Sequence, residues 1–259
     1  MTRRRWIADE FSTERAALTG EHAAHLARTL RARVGQEFEV ACGDRVRRAT
    51  VASVADDRVE FALGEAIAAT SVIPVTLLLA VFKFDRMEWA IEKCTELNVA
   101  NIIPVIARRT EKHLAAASEK RVERWRRIAR EASEQSRRTV PASIADPVKL
   151  SEALRLPAFS NAPAPAPAPD RSEDASPPAR LRIVLDETER EVWLADILRE
   201  HRNLQSVALA VGPEGGWTTD ELRSFATSEW QWLSASLGET ILRAETAVIA
   251  ALAIVRAAS

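Results

Sequence analysis

Four apolar runs limit what this chain can fold into. They are Val72-Ile-Pro-Val-Thr-Leu-Leu-Leu-Ala-Val-Phe82, Ile102-Ile-Pro-Val-Ile106, Leu181-Arg-Ile-Val-Leu185 and Val207-Ala-Leu-Ala-Val211. The first is nearly continuous, which suits a strand covered on both faces. Pro74 stands near its start, where a missing N–H is tolerated. Between the runs the pattern turns helical. Asp85-Arg86-Met87-Glu88 opens a helix in the manner of a capping box, with Asp85 as acceptor. That helix runs to about Leu97, with Met87, Ala90, Ile91, Cys94 and Leu97 on one face. A second is expected from Glu189 to Arg202, and a long one from Ser118 to Arg138 whose stripe is Val122, Trp125, Ile128, Ala129 and Ala132. Strand, helix, strand in repetition predicts an α/β domain with a mostly parallel sheet.

The first 70 residues read differently. Phe38 to Cys42, Arg48 to Val54 and Arg58 to Leu63 are short β-rich runs, punctuated by Gly43-Asp44 and Asp56-Asp57. A helix is expected from Glu21 to Arg33, with Arg28, Arg31 and Arg33 on its polar edge. A small barrel closes such strands without leaving edges. The expected domains are therefore 1–70 and 71–259. Residues 157–180 hold 7 of the 12 prolines and read as an extended, disordered insertion. The βαβ pattern resumes directly afterwards, so the insertion is not a domain boundary.

The net charge of -1 hides an uneven distribution. Residues 108–138 carry 11 Lys/Arg against 5 Asp/Glu, whereas 181–259 carry 7 against 12. A basic middle suits a polyanionic partner, or simply a solvated helix face. Cys42 and Cys94 lie far apart with no ligand spacing, so no metal site is expected and the thiols read as reduced. Neither a signal peptide nor a membrane span is visible, which points to the cytoplasm.

Two turns near the C-terminus carry the candidate chemistry. Gly212-Pro213-Glu214-Gly215-Gly216 follows the last of the four runs, and Thr218-Thr-Asp-Glu221 after it caps a helix. Glycines there let backbone approach a ligand, or merely make a tight turn. It is not a dinucleotide fingerprint, and it lacks the lysine of a phosphate loop. The second turn follows Trp232 to Leu237. It contains Gly238, Ile241, Leu242, Arg243, Glu245 and Thr246, and a final apolar helix is expected from Ala247 to Ala258. Ligands of open α/β sheets bind at such strand ends. Glu134-Gln135 and Arg138 end the basic helix; they suit a phosphate or base, or an ordinary polar terminus.

Together, the motif at 212–216 and the Leu-Gly-x-x-x-Leu-Arg-x-Glu-Thr-Ala motif at 237–247 resemble the ribosomal RNA small subunit methyltransferase E family, of the SPOUT class. Further matches are Lys83, Asp85 to Glu88, Lys93, Glu96-Leu97, Pro104, Arg109, Trp125, Glu134-Gln135, Arg138 and Pro141. His25, Leu30-Arg31 and Gly35 match the N-terminal domain. Phe84 and Asn98 stand where the family usually has glycine, and Arg108 where it usually has glutamate.

The resemblance implies a knotted SPOUT-type methyltransferase domain preceded by a small PUA-like β-barrel. It implies S-adenosyl-L-methionine as cofactor, N3 of a uridine in small-subunit ribosomal RNA as acceptor, the assembled subunit as substrate, and a homodimer. The cofactor would be held by Leu185, Gly212, Pro213, Glu214, Gly215, Gly216, Leu237, Gly238, Ile241, Leu242, Arg243 and Thr246. Arg138 or Arg243 would stabilise the uridinate oxygens, with Glu134 or Glu245 as base. Arg28, Arg31, Lys83, Arg86, Arg109, Arg124, Arg127 and Arg138 would hold RNA. Three rivals stand beside this reading: a ribose 2′-O methyltransferase of the same class, a non-catalytic RNA-binding relative, and an unrelated nucleotide-binding α/β enzyme.

Overall fold

The computed structural model describes residues 5–43, 45–67, 72–156, 179–201 and 203–258; the proline-rich insertion lies outside the described residues, apart from its last two positions. Two compact units result, residues 1–71 with 129–142, and residues 72–128 with 143–259. The segment 129–142 therefore groups with the N-terminal residues, where the sequence pattern placed it in the second domain.

In the first unit, β1 (Trp6–Ile7), β2 (Glu10–Phe11) and β3 (Arg15–Thr19) precede α1 (Gly20–Ala24), and β4 (Glu37–Cys42), β5 (Arg45–Val54) and β6 (Arg58–Ile67) follow it. The sheet order is β1-β4-β5-β6-β3-β2, antiparallel except for β1 beside β4. Register shifts between β5 and β6 bend these two long strands, as bulges do. Trp6, Leu18, Leu26, Phe38 and Phe61 fill the core. The helix expected over 21–33 is cut short. After Ala24 a π-helical turn covers His25–Thr29, and Arg31 takes a left-handed conformation with φ 52°.

The second unit begins with β7 (Val75–Ala80), α2 (Phe84–Glu96), β8 (Asn101–Ile106), α3 (Lys112–Ala117) and α4 (Val122–Gln135), whose last turns belong to the first unit. It continues with β9 (Ser143–Ile144), β10 (Val148–Lys149), α5 (Leu150–Ala153), β11 (Ala179–Leu185) and α6 (Leu194–Glu200). β12 (Leu204–Val211), α7 (Thr219–Ala226), β13 (Leu233–Ala235) and α8 (Ala244–Ala257) complete it. The sheet order is β10-β8-β7-β12-β11-β13, with β9 also beside β8, and every described pairing is parallel. The expected α/β class with a mostly parallel sheet is thus present. Leu77, Leu78, Leu79 and Leu209 are fully buried, as strands covered on both faces require.

Several local expectations are corrected. Asp85 does not cap α2: the N-cap position is Lys83, without a side-chain cap bond. The long helix over 118–138 is broken by a 3-10 turn at Glu119–Arg121. α6 starts only at Leu194, because Val192 and Leu194 exchange backbone hydrogen bonds with Ser236. α8 begins at Ala244, so Glu245 and Thr246 lie inside it and Arg243 holds the N-cap position.

Asn98 ends α2 with φ 63°. After glycine, asparagine tolerates that conformation best, so its presence keeps the turn. Phe84, the other replaced glycine, packs 6.1 Å from the Trp125 ring and lies under the Arg121 guanidinium at 4.8 Å. Cys42 and Cys94 are free and buried, and burial pushes the Cys94 thiol well above its ordinary range. No helix among the described residues is long and apolar enough to cross a membrane.

Candidate functional site

The sheet order brings the carboxyl ends of β12, β11 and β13 side by side. The segments that leave them therefore meet over one end of the sheet, where open α/β folds bind ligands. They enclose a cleft lined by Leu185, Gly212, Pro213, Glu214, Gly216, Leu237, Gly238, Ile241 and Leu242, all expected from the sequence. Asp186, Glu187, Arg190, Trp217, Ser236 and Thr240 also line it. Gly215, Arg243 and Thr246 are not in the lining: Gly215 faces Arg109, and the other two stand exposed at the start of α8.

The Gly-Pro-Glu-Gly-Gly loop is held firmly. Trp217 behind it is buried and packs edge-on against Phe225 at 5.1 Å, which in turn meets Trp232 at 5.1 Å. Thr218 and Glu221 form the capping box of α7, and the same Glu221 accepts from the Arg108 backbone N–H at 2.8 Å. Gly216 has φ 69°, and a Cβ there would lie 2.5 Å from Oε1 of Glu187. That carboxylate fills the space a side chain would occupy, at the mouth of the cleft.

Four arginines assigned to RNA have partners within the chain. Arg109 donates to the carbonyls of Gly215 and Trp217. Arg86 lies 3.5 Å from Glu214 and 3.7 Å from Glu245. Arg124 pairs with Glu88 at 2.7 Å, and Arg28 with Asp56 at 3.1 Å. Lys83, Arg127 and Arg31 are exposed.

The candidate bases fare unequally. Glu134 is fully buried in the first unit, 3.7 Å from Arg130, which also pairs with Asp9 at 2.8 Å. A carboxylate so enclosed meets no substrate, so the role of base is withdrawn from it. Glu245 is buried in the first turn of α8 and turned to Arg86. Arg138, also of the first unit, donates to the Val140 carbonyl at 3.2 Å. Arg243 is exposed, and its side chain makes no ion pair or hydrogen bond among the described residues. No cluster of His, Cys, Asp or Glu among the described residues suits a metal ion. A larger recess of about 920 Å³ opens beyond β8 and β10 against α7, but it contains none of the expected site residues.

The family model for an RNA methyltransferase domain matches residues 69–256. The chain belongs to this family. Among curated relatives, it is 32% identical over 185 residues to the ribosomal RNA small subunit methyltransferase E of a Synechocystis species, covering 71% of this chain and 54% of that protein. To the protein of the same name from Rickettsia conorii it is 32% identical, covering 70% of this chain and 64% of the relative. The match thus spans between half and two thirds of the length of these two relatives. Among solved structures, the ribosomal RNA small subunit methyltransferase E from Neisseria gonorrhoeae bound to S-adenosyl methionine superposes with a TM-score of 0.76 at 25% identity. The alignment covers 96% of this chain and 95% of the other. The family model includes all three segments that build the cleft.

Proposed function

We propose that this protein transfers a methyl group from S-adenosylmethionine to N3 of a uridine in small-subunit ribosomal RNA. The observation that carries the reading is the cleft at the ends of β11, β12 and β13 in a chain of the RNA methyltransferase family. The fit to the donor is chemical. Val211, Leu237, Leu242 and Ala244 offer apolar walls for an adenine, and the loop backbone offers N–H and C=O groups to a neutral adenosyl unit. Asp186, Glu187 and Glu214 give the lining a negative character suited to a cation. When bound there, S-adenosylmethionine supplies an electrophilic methyl group on a positively charged sulfur.

The protein's own part is to hold the uridine as an anion. Its N3–H is a weak acid, so methylation needs the proton removed and the charge spread over O2 and O4 stabilised. We assign that stabilisation to Arg243. The proton passes to water, since Glu134 is enclosed and Glu245 faces Arg86. We further propose a homodimer acting on the assembled subunit in the cytoplasm, with the first unit, a PUA-like barrel, and the exposed Lys83 and Arg127 contributing to RNA binding.

The test is nucleoside mass spectrometry after incubating the protein with S-adenosylmethionine and unmethylated small ribosomal subunits. The expected product is 3-methyluridine. A 2′-O-methylated nucleoside in its place overturns the acceptor, and absence of donor binding in calorimetry overturns the cleft.

Gly216 leaves no room for a side chain. An alanine at φ 69° is strained by about 1–2 kcal/mol and displaces the Glu187 carboxylate. Gly216→Ala is expected to lower Tm by a few degrees and to weaken S-adenosylmethionine binding by about tenfold, that is about 1.4 kcal/mol. Differential scanning fluorimetry and calorimetry check the two effects separately.

A further inference from the structure

We propose, on the reading of the cleft as the donor site, that Arg86 is a positioning residue for that site and not a contact for RNA phosphates. Arg86 stands in the first turn of α2, outside both motif segments. Its Nη1 lies 3.5 Å from Oε1 of Glu214, in the loop after β12. Its Nε lies 3.7 Å from Oε1 of Glu245, in the first turn of α8. One guanidinium thus spans the Gly-Pro-Glu-Gly-Gly loop and the start of the final helix, the two walls that must keep a fixed separation for a ligand to fit between them.

Charge gives the second reason. Glu245 is only 8% exposed, and its Oε2 has no hydrogen-bond partner among the described residues. A buried carboxylate is costly unless a cation compensates it, and Arg86 is the cation beside it. Two carboxylates against one guanidinium leave an excess negative charge next to the cleft, the sign that attracts a sulfonium ligand. The planar fork of arginine presents donors in two directions at once; an ammonium group is a single point of charge and spans the pair less well. Arg109 donates to the Gly215 and Trp217 carbonyls, so a second arginine holds the same loop through its backbone.

The test compares donor and RNA binding in the full-length protein. Donor affinity is measured by calorimetry with S-adenosylmethionine, and RNA affinity by titration with small-subunit ribosomal RNA across a salt series. Arg86→Ala is expected to raise the donor Kd by about tenfold, with the RNA Kd and its salt slope unchanged; a lost phosphate contact lowers that slope by about one. Arg86→Lys is expected to recover part of the donor affinity. Glu214→Gln, which leaves α2 intact, is expected to raise the donor Kd by a smaller factor and keeps the proposal testable if the alanine variant does not fold. A variant with unchanged donor Kd and a shallower RNA salt slope overturns the role of Arg86. A wild-type protein that fails to bind the donor overturns the reading of the cleft itself.

Discussion

Arg243→Ala is expected to slow single-turnover methylation of small ribosomal subunits by about 10²–10³-fold, the usual cost of removing one donor aimed at developing negative charge. Affinity for S-adenosylmethionine is expected to stay within about threefold, because the role proposed for Arg243 places the lost interaction only with the ionised uridine. The geometry behind this is specific. Arg243 occupies the N-cap position of α8, and its carbonyl accepts from the Ala247 N–H at 2.8 Å, which fixes the backbone from which the side chain projects. Its neighbours Leu242 and Ala244 both line the cleft. The guanidinium itself has no ion pair or hydrogen bond among the described residues and is free to meet an incoming anion. The N-terminus of a long helix adds a partial positive charge at the same place. Arg138 is the weaker candidate, since it lies in the first unit and already donates to the Val140 carbonyl. Arg243→Lys keeps the charge without the fork and is expected to recover only part of the rate. Rapid-quench kinetics of both variants decide the matter; an unaffected Arg243→Ala would shift the assignment to Arg138.

The parts of this site written in local pattern were legible in the sequence, and the parts made by distant partners were not. The runs at 181–185 and 207–211 announced buried parallel strands, and Thr218 with Glu221 announced the helix after the glycine loop. These signals depend only on neighbours in the chain. The resemblance gave Arg86 and Arg109 to RNA, and their partners lie more than 100 residues downstream, at Glu214, Gly215 and Trp217, where no local pattern announces them. Glu134 looked like a polar helix terminus; only the three-dimensional structure shows it fully enclosed beside Arg130. The expected helix from Glu189 failed for a similar reason. Its first residues read as helical, but Val192 accepts from the Ser236 N–H at 2.8 Å, and the Glu189 carboxylate takes up the N–H groups of Arg190, Glu191 and Val192. Pairing to the edge of the sheet overrode local propensity.

Arg256→Ala is expected to be the most destabilising of these substitutions, by about 2–4 kcal/mol, since hydrogen bonds from a charged group contribute about 1.5–3 kcal/mol each and do not add fully. Arg256 sits in the last turn of α8 and donates from Nε to the Leu97 carbonyl at 2.8 Å, from Nη1 to Ile73 at 2.6 Å and from Nη2 to Asn98 at 2.5 Å. Leu97 and Asn98 end α2, where the helix leaves carbonyls unpaired and carries partial negative charge. A cation there both satisfies the carbonyls and meets the favourable end of the dipole. Burial depresses the Arg256 pKa, so desolvation offsets part of the gain. Truncation leaves carbonyls from three residues without their donor and opens the contact between α2 and α8. Because α2 carries Arg86 and α8 carries Glu245, loosening that contact reaches the cleft as well. The expected readout is a Tm lower by roughly 5–15 °C for a domain of this size, together with a weaker donor Kd. Arg256→Lys is expected to regain less than half of the lost stability, because one ammonium cannot address three carbonyls in different directions. Equal Tm values for wild type and Arg256→Ala would show that α8 is held by its apolar face alone.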